Sequence, residues 1–195
     1  MMLLTFCIVV APAEAATDLK ITSTNLYALQ NEGTWKSYTG SGGELLVSQS
    51  AKDLYLPYQK SIWVNEIGTY GWQAANFKGE SYGDCVSFVK TLSQTTKTSW
   101  IKGRNVVKSK DVKPGTVIAT FSGSSYSGHA AIFRGYEIKK GKIVGIKVWD
   151  QNWVGYPKYR NILPSQRLGL IGRHSLTTNG TTKTNKANNY YVVKV

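Results

Sequence analysis

The sequence predicts a β-rich α+β domain. Runs rich in Val, Ile, Thr and Tyr recur between glycine-containing turns, as in 116–121 and 190–195. One segment, opening at Cys85, instead sets its apolar residues at helical spacing. The chain has 195 residues, 42% of them hydrophobic and 12% aromatic, which suffices for one cored domain with a small appendage.

At the N-terminus an apolar run ends in Ala13-Glu14-Ala15. That is the A-x-A pattern of a secretory leader, although no Lys or Arg precedes the run. The run is too short to span a bilayer. Residues 1–15 are therefore read as a signal peptide, and the mature chain as secreted, extracellular and without a membrane span. Of the two cysteines, Cys7 leaves with the leader and Cys85 stays, so no intramolecular disulfide can form. A lone thiol in an oxidising compartment is either a small buried apolar residue or a retained nucleophile.

Residues 16–68 read as a β-rich extension. Leu19-Lys-Ile-Thr-Ser-Thr and Glu44-Leu-Leu-Val-Ser alternate on either side of the flexible turn Tyr38-Thr-Gly-Ser-Gly-Gly. No chemistry is visible in this stretch. The formal charge of +13 is scattered along the chain. Such a surface favours polyanions: wall polymers, anionic lipid surfaces or nucleic acid. A solvated basic surface without a partner explains it equally well.

A helix is expected from Asp84, which can cap it after Gly83. Cys85, Phe88, Val89 and Leu92 follow at i, i+3, i+4 and i+7, so Cys85 begins the buried face. Its thiol then lies in the first turn, where unpaired N–H groups and the helix dipole favour a thiolate. Beyond the turn Lys113-Pro-Gly comes the strand Thr116-Val-Ile-Ala-Thr-Phe. Two further apolar strands, from Gly128-His-Ala-Ala-Ile-Phe and from Ile143-Val-Gly-Ile-Lys-Val-Trp-Asp, flank a Lys-Gly turn and form a hairpin. Tyr190-Tyr-Val-Val-Lys-Val is a terminal strand.

Cysteine hydrolysis requires a thiolate, a base in reach of it, and a polar group that orients the base. If Lys140 and Gly141 are the two turn residues, His129 faces Asn152 and Asp150 faces Ala131. His129, Asp150 and Asn152 then share a sheet face, with Asp150 a diagonal neighbour of His129. A three-residue turn would put Asp150 on the other face. Taken singly, each residue has a plain structural reading: a buried thiol, a strand-opening histidine, a strand-closing aspartate. Their joint occurrence favours catalysis, with Cys85 as nucleophile, His129 as general base and Asp150 as orienting group. The second histidine, His174, is read as a loop residue with no carboxylate near it in sequence. One mature cysteine and two histidines lack the spacing of a zinc site, so neither a metal nor another cofactor is expected.

Tyr82-Gly-Asp-Cys-Val-Ser-Phe-Val-Lys resembles the nucleophile helix of NlpC-type and CHAP-type peptidases. Gly128-His-Ala-Ala-Ile-Phe resembles their histidine strand, and Lys113-Pro-Gly-Thr the turn before it. The elements at 100–106, 115–121 and 148–153 resemble a small bacterial branch of that superfamily, close in plan to the wall-amidase effectors of type VI secretion. The match spans about residues 69–195. It implies a papain-like half-fold, with a nucleophile helix packed on an antiparallel sheet. It also implies amide hydrolysis in peptidoglycan stem peptides or cross-bridges. The partner implied is peptidoglycan or another anionic wall polymer, not nucleic acid, with an immunity or inhibitor protein as a further partner. The third catalytic residue varies in the superfamily, so Asn152 rivals Asp150. An upstream tyrosine near the site falls to Tyr82 or Tyr70. The backbone N–H of Cys85 is the expected oxyanion donor. Two alternatives stay open: a non-enzymatic basic binding protein, and a cysteine hydrolase acting on a protein or small amide.

Overall fold

The computed structural model of the chain describes residues 15–31, 35–37, 44–46, 59–64, 70–74, 85–95, 99–151 and 171–195. Residues 1–14 of the proposed leader, and Tyr82, Asp84, Asn152 and Trp153, lie outside these residues. Tyr70 lies in a strand whose side chains are not described.

The described elements are α1 (Ser23–Asn31), β1 (Trp35–Ser37), β2 (Glu44–Leu46), β3 (Gln59–Val64), β4 (Tyr70–Ala74), α2 (Cys85–Ser93), β5 (Ile101–Asn105), α3 (Val106–Ser109), β6 (Val117–Ser122), β7 (Ser125–Lys139), β8 (Lys142–Gln151), β9 (Ile171–Thr177) and β10 (Tyr190–Lys194). An eight-stranded sheet runs in the order β1-β2-β9-β8-β7-β6-β10-β5. Its pairings are antiparallel. The expected α+β class with an antiparallel sheet is therefore the observed one. Strands β3 and β4 form a separate two-stranded sheet.

Both faces of the large sheet carry a core, which is why its central strands read as near-continuous apolar runs. On one face Val117, Ala119, Ala130, Ile132 and Trp149 pack with Phe88, Val89 and Leu92 of α2. On the other, Ile118, Ala131, Phe133, Ile146, Val148 and Val192 pack with Val106 and Tyr190. The alternation of odd and even residues between the clusters is the two-residue period of a strand. Phe88, Val89 and Leu92 are fully buried. Each contributes about 1.5–3 kcal/mol relative to an exposed side chain.

Residues 17–31 differ from their expected strand character. Leu19 and Ile21 do enter the core beside α2. Asp18 and Lys20, however, make only isolated bridges, to Lys194 and Thr116, and a helix follows. Its cause is local: the Thr22 hydroxyl accepts the Asn25 N–H at 3.2 Å, satisfying an otherwise unpaired donor of the first turn. The Asn25 amide then donates to the Leu92 carbonyl at 2.8 Å and ties α1 to the end of α2. Alternation over so few residues had masked the cap.

The β7–β8 hairpin turns at Lys140 and Gly141, as expected. Both have positive φ, 49° and 73°, the signature of a two-residue type I′ turn. Lys139 pairs with Lys142 next to it. The register then shifts by one residue between Glu137 and Ile138 and shifts again between Phe133 and Gly135. One bulge lies on each strand, so the shifts cancel. Ile132 faces Trp149, the partner the turn alone would give it. Each bulge inverts the inward and outward faces, so a single one would have carried Asp150 away from His129.

Candidate active site

Cys85 opens α2 and is buried, with about 5% of its surface exposed. Its Sγ lies 3.4 Å from the hydroxyl of Tyr126 on β7. That hydroxyl also donates to the Gly128 carbonyl at 3.3 Å. Tyr126 therefore links the first turn of α2 to the peptide preceding His129. Sequence reasoning missed this residue; the only available signal was an aromatic two positions before the Gly-His pair.

His129 is set by its backbone. The ladder between β6 and β7 shifts between Ala119 and Phe121, opposite His129. The Thr120 side chain fills the gap: its Oγ1 accepts the His129 N–H at 3.0 Å and donates to the Ser127 carbonyl at 2.5 Å. Gly128 makes this possible. Its φ is +109°, and a Cβ there would stand 2.5 Å from Thr120 Oγ1. Gly128→Ala should therefore lower the melting temperature and lower turnover more than a distant surface glycine does. The cost is about 1–3 kcal/mol, from a strained backbone and a displaced hydroxyl. Thermal unfolding together with steady-state rates checks it; a variant unchanged in both would show that Thr120 does not hold His129.

Asp150 is fully buried near the end of β8. Its Oδ2 lies 2.6 Å from His129 Nε2. This is the diagonal neighbour relation expected from the hairpin. Burial alone would push the His129 imidazole toward its neutral form. The hydrogen bond and charge of Asp150, with a further hydrogen bond and charge from Cys85, outweigh it and raise His129 to about 10. Tyr190, buried on β10, is pushed well above an ordinary phenol by desolvation and by the negative fields of Asp150 and Cys85. It stays neutral and donates to the Thr184 carbonyl at 2.6 Å.

His174 is not in a loop. Gly172-Arg-His-Ser belongs to β9, where His174 stands opposite Val148, two residues from Asp150 on β8. Its Nδ1 lies 3.5 Å from Asp150 Oδ1. It is 6% exposed, and desolvation lowers its pKa despite the attraction of Asp150. The Asp150 carboxylate thus has one imidazole near each oxygen, the first charged and the second neutral. The carboxylate that looked remote in sequence comes from the neighbouring strand.

Asn152 and Tyr82, named from the sequence as supporting residues, lie outside the described residues, so only Cys85, His129 and Asp150 can be placed. Among the described residues no group of three or more His, Cys, Asp or Glu side chains is arranged to hold a metal ion. No helix among them is long and apolar enough to cross a membrane.

A family model described as domesticated amidase effector 2 matches residues 57–193, a span that contains Cys85, His129 and Asp150. No curated protein matches the chain. Among solved structures, a type 6 secretion amidase effector 2 is 22% identical over 75% of this chain and 91% of its own, with a TM-score of 0.40.

Proposed function

The chain belongs to the domesticated amidase effector 2 family, and from that premise we propose that it is a secreted cysteine amidase that cleaves amide bonds in peptidoglycan peptides. The observation that carries the reading is the bond between His129 Nε2 and Asp150 Oδ2 at 2.6 Å, on a histidine that also interacts with Cys85. With Nε2 committed to Asp150, the Nδ1 edge of the ring is the one available to the thiol. In this reading α2 is the nucleophile helix of a papain-like half-fold, and its contacts with β7 and β8 support that role.

The mechanism follows from where the proton rests. A histidine held near 10 is protonated at neutral pH, so His129 meets the substrate as an acid; the form of Cys85 that attacks is the thiolate, as in cysteine hydrolysis generally. The Cys85 thiolate attacks the carbonyl carbon, and backbone N–H groups at the start of α2 hold the oxyanion. As the C–N bond breaks, His129 gives its proton to the leaving amine. Water, deprotonated by the now neutral His129, hydrolyses the thioester; the C–S bond breaks, Cys85 is released and the proton is back on His129. Asp150 fixes the ring and its charge throughout. An immunity or inhibitor protein and an anionic wall polymer remain the partners proposed for this surface.

The direct test is digestion of purified peptidoglycan. Mass spectrometry should find peptide fragments that gain one water per cut, with new amino groups and unchanged glycan ends. Intact muropeptides, or cuts confined to the glycan, would refute the assignment.

A further inference from the structure

An open pocket of about 520 Å³ is lined by Trp100, Ile101, Lys102, Gly123 and Ser124. It lies between the start of β5 and the turn joining β6 to β7. It reaches the thiol through two rings. Trp100 packs edge-on against Tyr126 with centroids 5.1 Å apart, and the Tyr126 hydroxyl stands 3.4 Å from Cys85 Sγ.

We propose that this pocket is a substrate subsite that holds a carboxylate of the peptide beside the scissile amide, with Lys102 as its anchor. The proposal rests on the hydrolase reading above and specifies its substrate.

Lys102 is held in place rather than left to wave. Its ammonium donates to the Gly123 carbonyl at 3.0 Å and lies 4.1 Å from the centroid of the Tyr191 ring. A lysine has three N–H donors, so Gly123 leaves two for a ligand. Holding the charge in place reduces the side-chain entropy that a surface lysine would lose on binding. Ile101, half exposed at 51%, and the Trp100 ring supply apolar wall. The Trp100 indole N–H is a buried donor with no acceptor among the described residues. A fixed cation between apolar walls fits an anion on a short aliphatic stem. In a peptide that is an acidic side chain or a terminal carboxylate.

The test uses synthetic peptides that differ only in whether the side-chain or the terminal carboxylate is free or amidated. With wild type, the free acid should have the lower KM. Lys102→Gln should raise KM for that acid about tenfold, leave kcat unchanged, and not affect the amidated peptide. Lys102→Arg should restore most of the difference, and the amidation that abolishes it identifies which carboxylate is bound. Equal effects on acid and amide, or none on either, would overturn the subsite. Should wild type cleave neither peptide, binding of the free acid to the Cys85→Ala chain decides separately. Lys102-dependent binding there would keep the subsite and sink the hydrolase, whereas binding indifferent to Lys102 would sink the subsite.

Discussion

Cys85→Ala should abolish amide hydrolysis, lowering turnover by about 10⁴-fold or more, and leave a folded chain. Removing the nucleophile of such a unit eliminates the covalent route altogether; what survives is the small effect of binding and oxyanion stabilisation. The structural cost is modest. Cys85 sits at the edge of the core cluster around α2, and deleting one sulfur there costs about 1 kcal/mol. Cys85→Ser is the sharper variant, because it keeps a hydroxyl for the contact with Tyr126. It should be as inactive as alanine, since a serine in this setting is not ionised. Iodoacetamide should inactivate wild type in proportion to the fraction of Cys85 alkylated. Wild-type rates in either variant, with unfolding curves that overlay, would remove Cys85 from the chemistry and favour a protein whose thiol is only a packing residue.

What the sequence disclosed of this site was local. A cysteine opening an apolar helical repeat, a Gly-His pair opening a strand, and a Lys-Gly turn of two residues each carry their geometry within a few positions. Together they sufficed to place His129 and Asp150 as diagonal neighbours. The diagonal held because two bulges cancel, at Val144 on one strand and Arg134 on the other. Nothing in the residues announced either bulge. What stayed hidden was non-local. His174 joins Asp150 only because β9 pairs with β8, and no pattern within 171–177 names that partner. Tyr126 reaches Cys85 across 41 residues of sequence. Helix α1 was hidden for another reason: its cap is a single threonine hydroxyl, and its buried residues include a polar one, Asn25.

Asp150→Asn should lower turnover by about 10²–10⁴-fold and move the alkaline limit of activity down by several pH units. The amide keeps the shape of the carboxylate but not its charge, so the imidazolium loses its main support. The raised value of about 10 then falls toward the ordinary 6.5, because the opposing burial is unchanged. Wild type should hold its activity until the pH passes about 10, where His129 loses the proton it gives to the amine. The variant should lose it much earlier. Stability should show the same linkage. A histidine raised from 6.5 in the unfolded chain to about 10 in the folded one stabilises fully below pH 6.5 and loses that contribution as pH rises through about 10. The stability gap between wild type and Asp150→Asn should therefore be widest below pH 6.5 and close toward pH 10. His174→Gln should do much less, since His174 is neutral and stands 3.5 Å from the other carboxylate oxygen. Denaturant unfolding at a series of pH values, paired with pH–rate profiles, reads both effects. A gap that stays constant from pH 6 to 10, or a larger loss at His174 than at Asp150, would mean that the carboxylate does not govern the charge on His129.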